Sequence, residues 1–306
     1  MEVSGVSEDR NERTLRLASE PLVPAGPVSG FVGGTADSVR GVWRYRELLD
    51  LLVRRELKAR YKDSALGFLW SLIRPLTQLL IYYIAIGKFL GAERSIPDYA
   101  VYIFTGLTAW TLFSEIISTG TGSIVANGGL VKKIYLPREV FPLSVIGSAI
   151  FNFVIQFLIL VAAALLSGYP PTLAGYGYVL LGTAVLLVYA TAAAFLLSAI
   201  NVYLRDVQYL VEVVLMVGFW LSPIVYAWSF VNEALESEFL NALYLANPVT
   251  LAVLAYQRGI WVAGSGLPQP TDLGSRLVIV LLIGLPVLWI CQRVFARLQN
   301  NFAQEL

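Results

Sequence analysis

The 306-residue chain is 57% hydrophobic and 14% charged, with a net charge of +1. Its mean hydropathy is +0.68, whereas soluble domains carry charge on about a quarter of their residues; the composition excludes an ordinary soluble fold. There is no histidine and a single cysteine, Cys291, which removes imidazole metal sites, the commonest general base and any intrachain disulfide.

Residues 1–38 are polar, with mixed charges followed by Pro, Gly and Ser. They read as a disordered cytoplasmic tail, and they lack the apolar core of a cleavable signal. Over 39–64 the pattern changes: Leu49, Val53, Leu57 and Tyr61 recur every four residues, with Arg54, Lys58 and Lys62 on an adjacent face. That spacing predicts an amphipathic helix lying along the cytoplasmic leaflet, its apolar side in lipid. Two readings stand for it, a plain anchor or a gate whose cations meet an anionic substrate.

From 65 to 300 the chain predicts an all-α integral membrane domain of six transmembrane helices, at about 67–90, 100–122, 142–167, 177–200, 208–229 and 276–295. Each stretch is long enough for a helical span, which needs about 20 residues. Basic residues concentrate before the first span, between the second and third (Lys132, Lys133, Arg138), at Arg205 and after the last (Arg293, Arg297). Short basic loops stay on the cytoplasmic side, so both termini are expected there. Residues 127–139, with Gly128-Gly129 and Pro137 bracketing a short basic helix, form the only sizeable cytoplasmic loop between spans. Between spans five and six, about 235–262 contains two apolar runs broken at Asn247-Pro248. Each is too short to cross, which predicts paired external half-helices of re-entrant or interfacial type. Residues 301–306 are a short cytoplasmic tail.

Ionisable groups inside spans are costly and mark function by default. Arg74, Glu115 and Glu212 qualify, with Lys88 near an external end. Arg74 and Glu212 lie close enough to span ends to snorkel. Glu115 sits deeper and serves either a structural hydrogen bond or a pathway or subunit interface. Aromatic residues are numerous, and those in mid-span, notably Tyr82, Tyr83, Phe219 and Trp220, fit an interfacial belt less well than those at span ends. Ring faces stack on sugar C–H faces, so a ring-lined conduit suits a sliding glycan; tight helix packing uses aromatics too. No catalytic constellation, metal-ligand spacing or GxxxxGK[ST] phosphate loop is present. ATP-driven transport by this chain therefore requires a motor on another polypeptide.

Six strings carry a family resemblance: Glu56 to Leu76, Gly106 to Trp110, Leu130 to Glu139, Arg205-Asp206-Val207, Phe219 to Tyr226, and Asn247 to Thr250 with Tyr256. In this order, over about residues 43 to 300, the chain resembles ABC-2 type permeases that export polysaccharides. The resemblance implies a homodimer in the inner (plasma) membrane of a bacterium, joined to two copies of a separate ATPase subunit that binds ATP and Mg. It implies a cargo of O-antigen, teichoic acid or galactan type on a polyprenyl pyrophosphate, and no nucleic acid. It places Lys132, Lys133, Tyr135, Pro137, Arg138 and Glu139 in the coupling to the ATPase. Arg54, Arg55, Lys58, Arg60 and Lys62 guard the inner mouth and meet the head group. Trp70, Tyr82, Tyr83, Phe219, Trp220 and Tyr226 line the conduit on spans one and five. The chain itself is then no enzyme. Other readings are an ABC-2 exporter of a drug or single lipid, a membrane transferase, disfavoured by the missing catalytic groups, and an ATP-independent flippase or channel.

Overall fold

A computed structural model describes residues 33–61, 69–133, 136–235 and 237–306. The chain divides into two compact units, Met1–Arg40 and Gly41–Leu306. Of the first, only 33–40 is described: it is helical, with an Asp37–Arg40 ion pair at 3.8 Å. Residues 1–32 of the expected tail lie outside the described residues.

Every regular element among the described residues is a helix. They are α1 (Gly33–Arg44), α2 (Arg46–Tyr61), α3 (Trp70–Tyr82, passing directly into π-helical turns over Tyr83–Phe89), α4 (Tyr99–Ala126), α5 (Gly128–Lys133), α6 (Val140–Leu166), α7 (Leu173–Tyr203), α8 (Val207–Trp220), α9 (Trp228–Ala234), α10 (Glu238–Tyr244), α11 (Pro248–Ile260), α12 (Leu273–Leu298) and α13 (Phe302–Glu305). Four are long and apolar enough to cross a bilayer: α4, α6, α7 and α12 with its continuation to Glu305. The bent pair α10 and α11 makes a fifth if it is taken as one span.

The apolar stripe of α2 is partly covered by protein: Leu49, Val53 and Leu57 are half-buried. Leu52 is buried, and Val53 packs so closely on Gly147 of α6 that a Cβ there would stand 2.7 Å from its Cγ2. An amphipathic helix satisfies its apolar side against protein as readily as against lipid, and here α6 supplies the surface.

Helix α4 is the centre of the domain. In its most apolar window 72% of residues are buried, against 22% in α6 and α12, which therefore present most of their apolar surface outward. It packs against α6, α7 and α11, and α7 in turn carries α11 and α12. The α7–α11 contact is a backbone contact. A Cβ on Gly259 would stand 2.5 Å from the carbonyl oxygen of Gly175 and 2.7 Å from Val179 Cγ2. Paired glycines let two helices touch where lipid gives them no hydrophobic push together.

The fifth apolar stretch, expected over 208–229, breaks off at Trp220, leaving a 14-residue helix of about 21 Å against a hydrocarbon thickness of about 30 Å, and turns helical again only at Trp228, where α9 begins. Pro223 has no N–H to give and its ring opposes the carbonyl four residues back, so the helix stops short of it. The chain then runs unwound through the interior, with Ser222, Ile224 and Val225 at 2% exposure or less. Its carbonyls find partners on α4 and α11. Tyr99 Oη donates to Val225 O at 2.8 Å, and Gln257 Nε2 to Pro223 O at 2.6 Å. The Tyr102 hydroxyl lies between Pro223 O and Tyr226 O, at 3.0 and 2.6 Å. The close approach is possible because residue 106 is glycine: a Cβ there would sit 3.1 Å from the Ile224 Cα.

Two substitutions test this packing. Gly259→Ala should force α7 and α11 apart and cost about 1–3 kcal/mol, read as a lower unfolding temperature in detergent. Tyr102→Phe strands the Tyr226 carbonyl, while Gln257 still covers that of Pro223, and should cost about 1–3 kcal/mol; an unchanged midpoint in either variant contradicts the packing described.

Candidate functional site

Three sets of residues singled out by the sequence are placed very differently. In the 127–139 segment, Lys132 and Lys133 are exposed at the end of α5, while Pro137 and Arg138 are half-buried. Glu139 is buried, at 4%, and accepts from Gln299 Nε2 at 3.5 Å. The Arg138 guanidinium lies 5.9 Å from the centre of the Phe302 ring, and Phe302 is fully buried against Phe295 and Tyr203. Leu306 covers Gly128. The last residues of the chain thus pack beneath α5. Tyr135 lies outside the described residues.

The five cations of the amphipathic stretch do not form one bare cluster. Arg54 pairs with Asp50 at 2.8 Å, and Arg55 bonds Glu56 and the Asn127 side chain. Arg60 reaches away from the helix to pair with Glu115 on α4. Lys58 is exposed, and Lys62 lies outside the described residues.

The aromatic residues split into a cluster and an outlier. Tyr82 stacks on Phe219 with ring centres 5.6 Å apart, and Phe219 meets Trp110 and Trp220 edge-on. Trp70 and Trp220 are exposed, at 41% and 54%, and Tyr83 is half-buried beside Lys88. Tyr226 belongs instead to the unwound segment and donates to Trp220 O at 2.6 Å. Helices α3 and α8 carry most of these rings on sparsely buried surface. No residue of α3 is buried, and only Val211 and Phe219 of α8 are.

Beneath the first turns of α3 the structure holds a cavity of about 940 Å³, bounded by α2, α3, α4, α6 and α8. All three intramembrane charges singled out above, Arg74, Glu115 and Glu212, reach it, and Arg60 joins them. Glu115 is held from two sides, by Arg60 and by Asn152 Nδ2 at 2.8 Å. Arg74 and Glu212 have no ion-pair partner among the described residues. The formal charges of the four cancel. The remaining polar lining comes from Thr111, Ser114, Ser118 and Thr119 of α4, from Asn152 and Gln156 of α6 and from Ser71 of α3, with Trp70 beside it. Gln156 is 4% exposed, and its Nε2 has no hydrogen-bond partner among the described residues.

Sequence reasoning missed the hydroxyls and amides of this cavity. Residues 111, 114, 115 and 118 recur at three- and four-residue spacing, as do 152 and 156, and such a polar stripe on an apolar helix marks one face. The lone charges drew attention away from their neutral neighbours. Among the described residues no three His, Cys, Asp or Glu side chains converge on a metal site.

The model of the ABC-2 type transporter family matches residues 47–261. An O-antigen export system permease protein RfbA from Myxococcus xanthus is 30% identical over 270 residues, covering 88% of this chain and 98% of its own length. A protein of the same description from Klebsiella pneumoniae is 27% identical over 264 residues, 85% of this chain and 95% of its own. The polysialic acid transport protein KpsM of Escherichia coli is 33% identical over 84 residues, 27% of this chain and 32% of its own.

The Arg60–Glu115 pair ties α2 to α4, which a double-mutant cycle measures. Glu115→Gln should lower stability by about 1–3 kcal/mol by removing a charged partner. Arg60→Gln in that background should add little, giving a coupling energy well above zero; additive effects would mean the pair contributes nothing.

Proposed function

Because the chain belongs to the ABC-2 type transporter family, we propose that it is the membrane permease of an ATP-driven exporter of a lipid-linked polysaccharide, of O-antigen, teichoic acid or galactan type on a polyprenyl pyrophosphate. The observation that carries this is the alignment over nearly their whole length with O-antigen export permeases. The chain itself is not an enzyme: it lacks the phosphate loop, so ATP and Mg belong to a separate ATPase chain, two copies serving a permease homodimer in a bacterial inner membrane.

In this reading six spans cross the membrane, with both termini cytoplasmic. The first is the continuous run of α3 and its π-helical turns, and the fifth is the short α8. The basic loops all fall on one side under this assignment. Helices α10 and α11, bent by 80° where Asn247 caps α11 and Pro248 opens it, are the external half-helices. The sparsely buried α3 and α8, with Trp70, Tyr82, Tyr83, Phe219 and Trp220, face the second protomer and the glycan path between the two. Exposed side chains on α8 such as Tyr209, Leu210 and Met216 then gain cover from the partner copy.

Coupling to the ATPase falls to Lys132 and Lys133. Pro137, Arg138 and Glu139 hold the same element from inside, and α13 beneath it stiffens the element against a push. The cations of α2 meet the pyrophosphate at the cytoplasmic mouth, where a charge-assisted bond to phosphate is strong. Lys58 is exposed with no ion-pair partner among the described residues; Arg54, Arg55 and Arg60 exchange present carboxylate or amide partners for it.

Two measurements test this function. Depletion of the chain should leave long polyprenyl-linked polymer on the cytoplasmic side of the membrane fraction. Unchanged wall and surface polymers would shift the reading to export of a small lipid or drug. A Lys132→Ala/Lys133→Ala variant should reach the membrane in normal amount yet fail to export while its ATPase partner still turns over; normal export would remove both lysines from the coupling.

A further inference from the structure

A buried amide without a partner is costly, about 1–3 kcal/mol, and leucine would fill the same space without that penalty. Gln156 is such an amide, at 4% exposure with Nε2 unpartnered, on a helix that is otherwise almost wholly apolar. It lines a cavity of about 940 Å³, at the upper end of the volumes usual for small-ligand sites. The unpartnered donor and the cavity together indicate a ligand with hydrogen-bond acceptors.

The charges of the site decide its chemical class. An anion meeting Arg74 would also meet Glu212 and the Glu115 carboxylate, and Arg60 is already engaged by Glu115. An acyl chain would leave the hydroxyls and amides dry. A neutral ring bearing several hydroxyls meets both demands, since each hydroxyl both donates and accepts. Carboxylates and serine or threonine oxygens accept from it and Arg74 donates to it; Gln156 Nε2, sealed in the structure, donates once its amide turns toward the cavity, and the exposed Trp70 offers a face for its C–H groups.

We propose that this cavity binds a neutral pyranose unit of the exported glycan, with Gln156 of α6 as a specificity-determining donor. The site lies within one protomer, between α3 and α8 on one side and α4 and α6 on the other, so it is a pocket adjoining the path along α3 and α8. It rests on the exporter reading and adds a sugar-reading step to it: a polymer whose unit fits the cavity engages each protomer separately.

The test uses the full-length chain in lipid nanodiscs and three kinds of amphiphile below their micelle concentrations. Octyl glucoside and octyl galactoside carry a neutral sugar, octyl phosphate an anion, and octanol neither. At least one glycoside should raise the unfolding midpoint saturably. In Gln156→Met, which keeps the side chain's length, and in Gln156→Leu, the apparent affinity should fall about tenfold, the loss of one good hydrogen bond. Both variants should be at least as stable as the native chain without ligand, because each removes an unpartnered amide. An equal shift with octyl phosphate or with octanol overturns the proposal in favour of an anion or an acyl chain. A glycoside shift unchanged by both substitutions overturns the role of Gln156. In cells depleted of the native chain, the variants should export polymer about tenfold more slowly than the restored native chain. Normal export by both variants, while depletion itself blocks export, sinks this site and leaves the exporter reading standing; export unaffected by depletion sinks the exporter reading instead.

Discussion

Backbone that leaves the helix inside a bilayer must find all its hydrogen-bond partners within the protein, because hydrocarbon offers none. In the segment from Leu221 to Ala227, Tyr99, Tyr102 and Gln257 answer that demand for the carbonyls of Pro223, Val225 and Tyr226. Much else follows from this. The partners sit on α4 and α11, so the end of α8 is anchored to the most buried part of the domain. The rest of α8 touches α4 through Gln208, Val211 and Gly218 and is otherwise largely exposed. A short, end-anchored helix with exposed rings is suited to a surface that a polymer or a second protomer passes along.

Stability and function are therefore divided among different helices. The helices α4, α7 and α11 form the rigid part, drawn together by the Gly175–Gly259 contact and a continuous buried cluster. The mobile candidates are α3 and α8, which bury little. Between the two lies the polar cavity, where Glu115 accepts from both Arg60 and Asn152 and so joins α2, α4 and α6. A partly buried ion pair adds little net stability but is costly to half-break, which makes it a registry point for α2 over the cavity. On the opposite side of the fold's logic, Phe302 and Leu306 pack under α5, so an element that the sequence presents as a loop is backed by the last turns of the chain.

The broad plan was legible in the sequence because burial in lipid follows composition. Apolar stretches long enough to span, the basic loops between them, and the break at Asn247-Pro248 with its capping asparagine are local patterns, and the structure puts helices and a bend where they predict them. The end of the fifth helix was misjudged because the apolar run continues past Pro223. Hydropathy does not distinguish a helix in lipid from an unwound strand buried in protein. The cavity was half legible: its charges stood out, while Asn152 and Gln156 were hidden among apolar neighbours.

By itself the sequence determined that this is a helical membrane protein, where most of its helices lie, and which residues carry unusual cost inside the membrane. Only the tertiary structure decided what those residues meet. Arg60 and Glu115 are 55 positions apart and Arg55 and Asn127 are 72 apart. Nothing in the spacing of either pair announces its partner. The apolar face of α2 turned to α6 for the same reason. Hydrophobic pattern is read along one helix, but a hydrogen bond or ion pair between helices depends on which helices adjoin and at what height. That is set by the packing of the whole chain.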